Sequence, residues 1–168
     1  VAKIDKPTYV GFAVLEYAKL LMNKFHYDQV LKQWPNGKAR LILTDTDSLL
    51  YEIETEDVYK DIENNPALRD WFDTSNYPKD HPLYTATNKM VIGKMKDETA
   101  GQVMVDVVGL RAKMYSFKVF NPVTGAFTET RKAKGIQKAS IQTITHQDYV
   151  KQLEDPEENR VTVRRIGH

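Results

Sequence analysis

Apolar positions recur at helical spacing through residues 7–34. Val10, Val14, Tyr17, Ala18, Leu21 and Phe25 fall on one stripe, and Lys19 and Lys24 lie off it. Pro7 suits a first helical position, and Pro35-Asn36-Gly37 ends the helix. Two apolar runs, Ala39 to Thr44 and Ser48 to Ile53, then flank the acidic turn Asp45-Thr46-Asp47. The pattern predicts a hairpin. Its second strand carries Leu49, Tyr51 and Ile53 on one face and Glu52 and Glu54 in the opposite phase. Thr55 is placed to cap a helix ending near Asn64, with Glu56 and Asp57 in its first turn.

Residues 65–87 are rich in Pro, Asn, Asp and Ser and read as an irregular connector. Strands are expected at 89–95, 102–108 and 110–120. A turn at Asn121-Pro-Val-Thr-Gly125 and a returning strand at 126–131 follow. Thr145-His-Gln-Asp148 has the form of a capping box opening a short helix to Leu153, which Asp155-Pro156 stops. These elements do not alternate strictly between strand and helix, so the expected class is α+β.

Composition bounds the picture. The 168 residues suit one domain of ordinary size. With 41% apolar and 28% charged residues and a mean hydropathy of −0.53, the chain fits a globular core rather than a disordered or collagen-like one. The longest apolar stretch, Val10 to Leu15, is far short of a membrane span, so no membrane partner is expected. The chain opens on Val with no secretory or transit pattern, and the expectation is a piece of a longer, intracellular protein. The absence of Cys removes disulfides, thiolate metal sites and Cys nucleophiles.

Net charge is only +1, but its distribution is uneven. Residues 45–100 carry 6 basic and 13 acidic side chains, whereas 1–44 carry 7 and 3 and 101–154 carry 8 and 4. An acidic middle between basic flanks suits a metal site beside a polyanion track, and equally ordinary surface scatter.

The acidic turn is the sharpest local feature. Two carboxylates at i and i+2 repel, and Asp is depleted in strands. A bare Asp-x-Asp is most simply a solvated turn. The Thr between, the Ser after and the apolar strands on both sides favour a divalent ion held by Asp45 and Asp47. Mg²⁺ takes one or two carboxylates and completes its shell with water and phosphate oxygens. A second cluster lies downstream. Strand alternation from 110 to 120 predicts Arg111, Lys113 and Tyr115 on one face and Leu110, Ala112 and Met114 on the other. Between 111 and 138 stand seven basic residues and one acid, Glu129. Cations interleaved with an aromatic suit a sugar-phosphate backbone.

Together these segments resemble the B-family DNA polymerases. Leu41-Ile-Leu-Thr-Asp45-Thr46-Asp47-Ser48-Leu49 is similar to that family's motif C, and Gly109-Leu-Arg-Ala-Lys113-Met-Tyr115 to its Lys-x-Tyr motif. Gly93-Lys-Met-Lys-Asp-Glu98 resembles the strand before it, Lys132-Ala-Lys134-Gly135 the basic start of the thumb, and Lys6-Pro7-Thr-Tyr-Val-Gly11 the start of the palm helix. Order and spacing look most like the protein-primed branch found in linear plasmids, some viruses and self-synthesising transposons. The resemblance spans about residues 6–153. It implies a palm portion, an antiparallel sheet with packed helices, over 1–120, and the start of the thumb with a C-terminal segment over 121–168. It implies template-directed nucleotidyl transfer with Mg²⁺, or Mn²⁺ in its place. Asp47 would be the principal metal ligand, Asp45 its near partner, and Thr46 a nucleotide contact. Arg111, Lys113, Tyr115, Lys132 and Lys134 would hold primer DNA. The implied partners are primer-template DNA, deoxynucleoside triphosphates and the remaining polymerase segments, with a terminal protein or a nucleic acid as primer. Leu43 stands where family members carry Tyr, and the 168 residues contain no motif A, fingers motif or exonuclease segment. By itself the chain is therefore expected to be inactive.

Two other readings remain open. One is a non-catalytic nucleic-acid-binding remnant. The other is a different metal-dependent phosphodiesterase, which calls for further acids or histidines at the turn. His26, His81, His146 and His168 lack ligand spacing and read as structural, as do Trp34, Trp71 and Phe25-His26-Tyr27.

Overall fold

The helix expected over residues 7–34 forms in three consecutive pieces: α1 (Thr8–Lys24), a π-helical turn (Phe25–Val30) and α2 (Leu31–Gln33). The computed structural model describes residues 7–121 and 124–157; Lys6, Pro122, Val123 and His168 lie outside the described residues. Pro7 precedes the first turn, and its carbonyl accepts from the Val10 and Gly11 amides at 3.0 and 3.4 Å. The apolar stripe is buried only at its end. Val10, Val14 and Tyr17 are exposed, and burial begins at Phe25, whose ring packs 5.8 Å from Trp71 and 5.7 Å from Phe72.

The chain divides into two compact units. The first takes residues up to 75 together with 85–96, and the second takes 76–84 and the chain from 97 onward. In the first unit, β1 (Ala39–Asp45) and β2 (Ser48–Ile53) make the expected antiparallel hairpin, with a register shift between Leu41 and Leu43 that leaves Ile42 unpaired. The next helix, α3 (Val58–Asn64), is capped by Asp57 and not by Thr55. The Asp57 carboxylate takes the Tyr59 and Lys60 amides at 3.0 and 3.1 Å, and the Thr55 hydroxyl instead donates to Asp61 at 2.6 Å. The connector holds a further helix, α4 (Pro66–Arg69), capped by Asn65 with Pro66 entering its first turn.

The strand expected at 89–95 does not form. Met90 and Gly93 adopt left-handed backbone, φ 59° and 87°, which breaks an extended run. Only β4 (Met95–Lys96) pairs, in parallel, with β3 (Phe72–Asp73). Side chains fix the intervening loop. Asn88 donates to the Asp70 and Phe72 carbonyls at 3.0 Å each, and the Met90 amide donates to the buried Asp73 carboxylate at 3.3 Å. The core of this unit includes Phe25, Val30, Trp34, Ala39, Ile62 and Leu68.

The second unit is built on an antiparallel sheet of β5 (Val103–Arg111), β6 (Met114–Phe120) and β7 (Phe127–Ala133), in that order. Helices α5 (Lys138–Gln142) and α6 (His146–Glu154) follow. The Thr145–Asp148 capping box that opens α6 is present as expected. Val108, Ile144 and Tyr149 form a buried cluster, and Leu110, Met114 and Val150 pack against it, so α6 covers one sheet face. Residues 76–84 join the unit through Asp97, whose carboxylate accepts from the Tyr77 hydroxyl at 2.9 Å and the Gly101 amide at 3.0 Å. Gly101 has φ +81°, and a Cβ there would lie 3.1 Å from the His81 ring. The class is α+β, as expected. Among the described residues no helix is long and apolar enough to cross a membrane.

Candidate nucleic-acid interface and acidic turn

The acidic turn closes the β1–β2 hairpin in the first unit. Asp45 pairs with Ser48 in the ladder, leaving Thr46 and Asp47 as the loop. The Asp47 amide donates to the Asp45 carbonyl at 2.7 Å, and the Ser48 hydroxyl donates to the same oxygen at 3.3 Å. The Thr46 hydroxyl donates to an Asp45 carboxylate oxygen at 3.4 Å. Thr46 holds φ +62°, a region a β-branched residue rarely occupies. Ser48 thus closes the turn, with the half-exposed Asp45 at the end of β1 and the exposed Asp47 in the loop.

The turn suits Mg²⁺ or Mn²⁺ only as an open site. Asp45 and Asp47 supply two carboxylates, within what Mg²⁺ ordinarily draws from a protein. Among the described residues no group of three His, Cys, Asp or Glu side chains forms a metal cage. Among the described residues, an ion held by Asp45 and Asp47 would find no third carboxylate or imidazole, and water or phosphate oxygens would fill its remaining positions.

The basic cluster belongs to the second unit, and its geometry differs from a single strand. Residues 110–120 are broken at Ala112-Lys113, which form the loop of the β5–β6 hairpin, with Lys113 at φ +59°. Arg111, Lys113 and Tyr115 therefore do not share one strand face. Arg111 ends β5, Lys113 sits in the turn, and Tyr115 lies on β6. The β7 strand supplies the neighbour that alternation had assigned to Lys113. Lys132 stands directly across from Tyr115 in the β6–β7 ladder and shares its face. The Tyr115 ring is near-parallel to Phe117 two residues on, with centroids 6.4 Å apart. Lys134 joins the same end, its amide donating to the Lys113 carbonyl at 3.1 Å. Arg111, Lys113, Lys132 and Lys134 are thus gathered at one end of the sheet. Two other cations of this segment are engaged elsewhere. Glu129 lies 3.7 Å from Lys118 and 3.8 Å from Arg131, whose guanidinium also donates to the Ile144 carbonyl at 2.7 Å.

His146, expected to be structural, has that role, through partners the sequence does not signal. His146, fully buried, stands 2.8 Å from the Ser116 hydroxyl through Nδ1 and 3.0 Å from Asp106 through Nε2, and its amide donates to Glu129 at 3.1 Å. Ser, His and Asp in a line suggest a nucleophile. Ser116 is fully enclosed, however, and its hydroxyl is also 3.1 Å from the Thr130 carbonyl, so the group braces α6 against all three strands. Its partners lie 30 and 40 residues from His146 in sequence, a separation that no local pattern signals. His26 is likewise engaged, 2.8 Å from the Tyr51 hydroxyl with the rings stacked. Burial pushes the Tyr51 hydroxyl up to about 12. Trp34 is core, as expected, with its indole donating to Asp61 at 2.7 Å, whereas Tyr27 is exposed. No protein-family model, curated protein or solved structure matches the chain.

Proposed function

We propose that the chain is part of a DNA-directed DNA polymerase, its first unit carrying metal-holding carboxylates and its second unit gripping the nucleic-acid backbone. The observation that carries the reading is the convergence of Arg111 at the end of β5, Lys113 in the β5–β6 turn, and Lys132 and Lys134 at the end of β7, beside the half-exposed Tyr115 that pairs with Lys132. Cations at strand ends and a hairpin tip can reach successive phosphates without reading bases. Tyr115 adds a ring and a hydroxyl at the same level, suited to a sugar or a terminal base. In the first unit, Asp45 and Asp47 would hold Mg²⁺, and Thr46 would lie against the nucleotide. Bound there, Mg²⁺ supplies charge neutralisation at a phosphoryl group and lowers the pKa of an attacking hydroxyl. The palm and thumb assignment follows from the Asp-Thr-Asp-Ser and Lys-x-Tyr segments.

A second reading, a non-catalytic nucleic-acid-binding remnant, is favoured by the two-carboxylate limit of the acidic turn among the described residues. One experiment separates the two. Oligonucleotide binding and primer extension are measured for a polymerase containing this chain, with Asp47→Asn alongside. Extension that Asp47→Asn abolishes while binding persists supports the polymerase. Binding with no extension in either protein supports the remnant, and no binding sinks both.

A further inference from the structure

We propose that Tyr149 is a positioning residue for Lys132, and that α6 through it sets the affinity of the basic end for a phosphodiester backbone. The proposal rests on the nucleic-acid reading of that end. Tyr149 is almost fully buried, yet its hydroxyl is spent on one contact outside its helix, a 3.0 Å donation to the Lys132 carbonyl. Lys132 lies on β7, which pairs with a strand on one side only. The Lys134 amide bond to the Lys113 carbonyl makes Tyr115–Lys132 a hydrogen-bonded pair of the antiparallel ladder, so the Lys132 carbonyl faces β6 and the Tyr149 hydroxyl adds a second donor that ties this end of β7 to α6.

The helix that delivers this donor is itself pinned. At its first turn His146 contacts Asp106 of β5, Ser116 of β6 and Glu129 of β7. Three residues on, Tyr149 reaches the Lys132 peptide from the same helix. The Lys132 side chain leaves on the face opposite His146, beside Tyr115, because neighbouring strand residues alternate. The α6 side of the sheet thus aims a cation on the other side. Tyr149 touches no ligand in this arrangement and acts only through Lys132.

The test is fluorescence anisotropy of the 168-residue chain with a labelled single-stranded oligodeoxynucleotide, over a range of salt concentrations. Tyr149→Phe keeps the ring and removes only the donor. It is expected to weaken binding about three- to tenfold, the scale of one hydrogen bond. Lys132→Ala also weakens binding, and in that background Tyr149→Phe is expected to cost nothing further. His146→Asn, which loosens the other anchor of α6, is expected to lose its effect on binding in the same background. Thermal melts confirm that each variant is folded. A folded Tyr149→Phe that binds like the parent, or that loses the same factor with and without Lys132, overturns the proposal and leaves a stability role alone. Failure of the unaltered chain to bind overturns the nucleic-acid reading and this proposal with it. Binding that Lys132→Ala weakens and Tyr149→Phe does not overturns only this one.

Discussion

The Lys134 amide donates to the Lys113 carbonyl at 3.1 Å, which ties the β5–β6 turn to the end of β7. That bond puts the backbones of both lysines at the same end of the sheet.

Lys113 provides a clean probe because its φ of +59° suits glycine. Lys113→Gly is expected to preserve the hairpin and remove one cation. The log-log salt slope of oligonucleotide binding should become shallower by about one unit, the signature of one lost phosphate contact. Met114→Ala, in the adjacent packed position, is expected to lower stability by about 2 kcal/mol and leave the slope unchanged. A salt titration beside a urea melt reads both. An unchanged slope for Lys113→Gly counts against the phosphate contact.

Thr46 bears a left-handed backbone with a branched side chain. Such strain costs on the order of 1–3 kcal/mol, part of which glycine returns as extra freedom in the unfolded chain. Thr46→Gly is therefore expected to stabilise the chain by about 1 kcal/mol in a urea melt, the residual of those two effects. Destabilisation would mean that the Thr46 hydroxyl bond to Asp45 outweighs the strain.

The Asp73 carboxyl is held down at about 2. Hydrogen bonding from Ser75 dominates, the Met90 amide and Lys96 add to it, and burial opposes it. An unfolded Asp titrates near 3.9, so the folded form binds the proton more weakly. The stabilisation is fully present above about pH 4 and is lost as pH falls through about 2. Asp73→Asn is expected to lower stability at neutral pH and to flatten the pH dependence of stability between those limits. Equal acid sensitivity in the variant and the parent would exclude this carboxyl as its source.

Asp45 and Asp47 should separate metal dependence from nucleic-acid binding. In a polymerase containing this chain, Asp47→Asn is expected to abolish nucleotide incorporation and Asp45→Asn to cripple it, with oligonucleotide affinity retained. The 168-residue chain itself is expected to extend no primer with Mg²⁺ and all four nucleotides. Robust extension by the chain, or normal turnover by Asp47→Asn, would remove the acidic turn from the chemistry.

The hairpin at 39–53 and the cap at Thr145 were legible because their signals are local: alternation on both sides of an acidic turn, and Thr with Asp three residues on. The start of α3 was displaced because Thr55 and Asp57 are both good caps, and hydrogen bonding to Asp61 decides between them. Asn65-Pro66 carried the signal for α4 and went unread amid a loop-like composition. The break at Ala112-Lys113 has no Gly, Asn or Asp to announce it, since a lysine takes the left-handed position. That hidden turn moved Lys113 off the Tyr115 face and brought Lys132 onto it. The His146 brace was illegible because its partners come from three strands.

The interleaving of the two units constrains how such a chain can be inherited. The path changes unit after residues 75, 84 and 96. A genetic crossover between codons 96 and 97 would deliver the sheet without Tyr77 and Leu83, which are almost wholly buried, and would take the Tyr77 hydroxyl away from the Asp97 carboxylate. One between codons 75 and 76 would carry off β4, the parallel partner of β3, along with the second unit. None of these single breakpoints yields a separable module, so a recombinant that exchanges either unit intact needs more than one crossover.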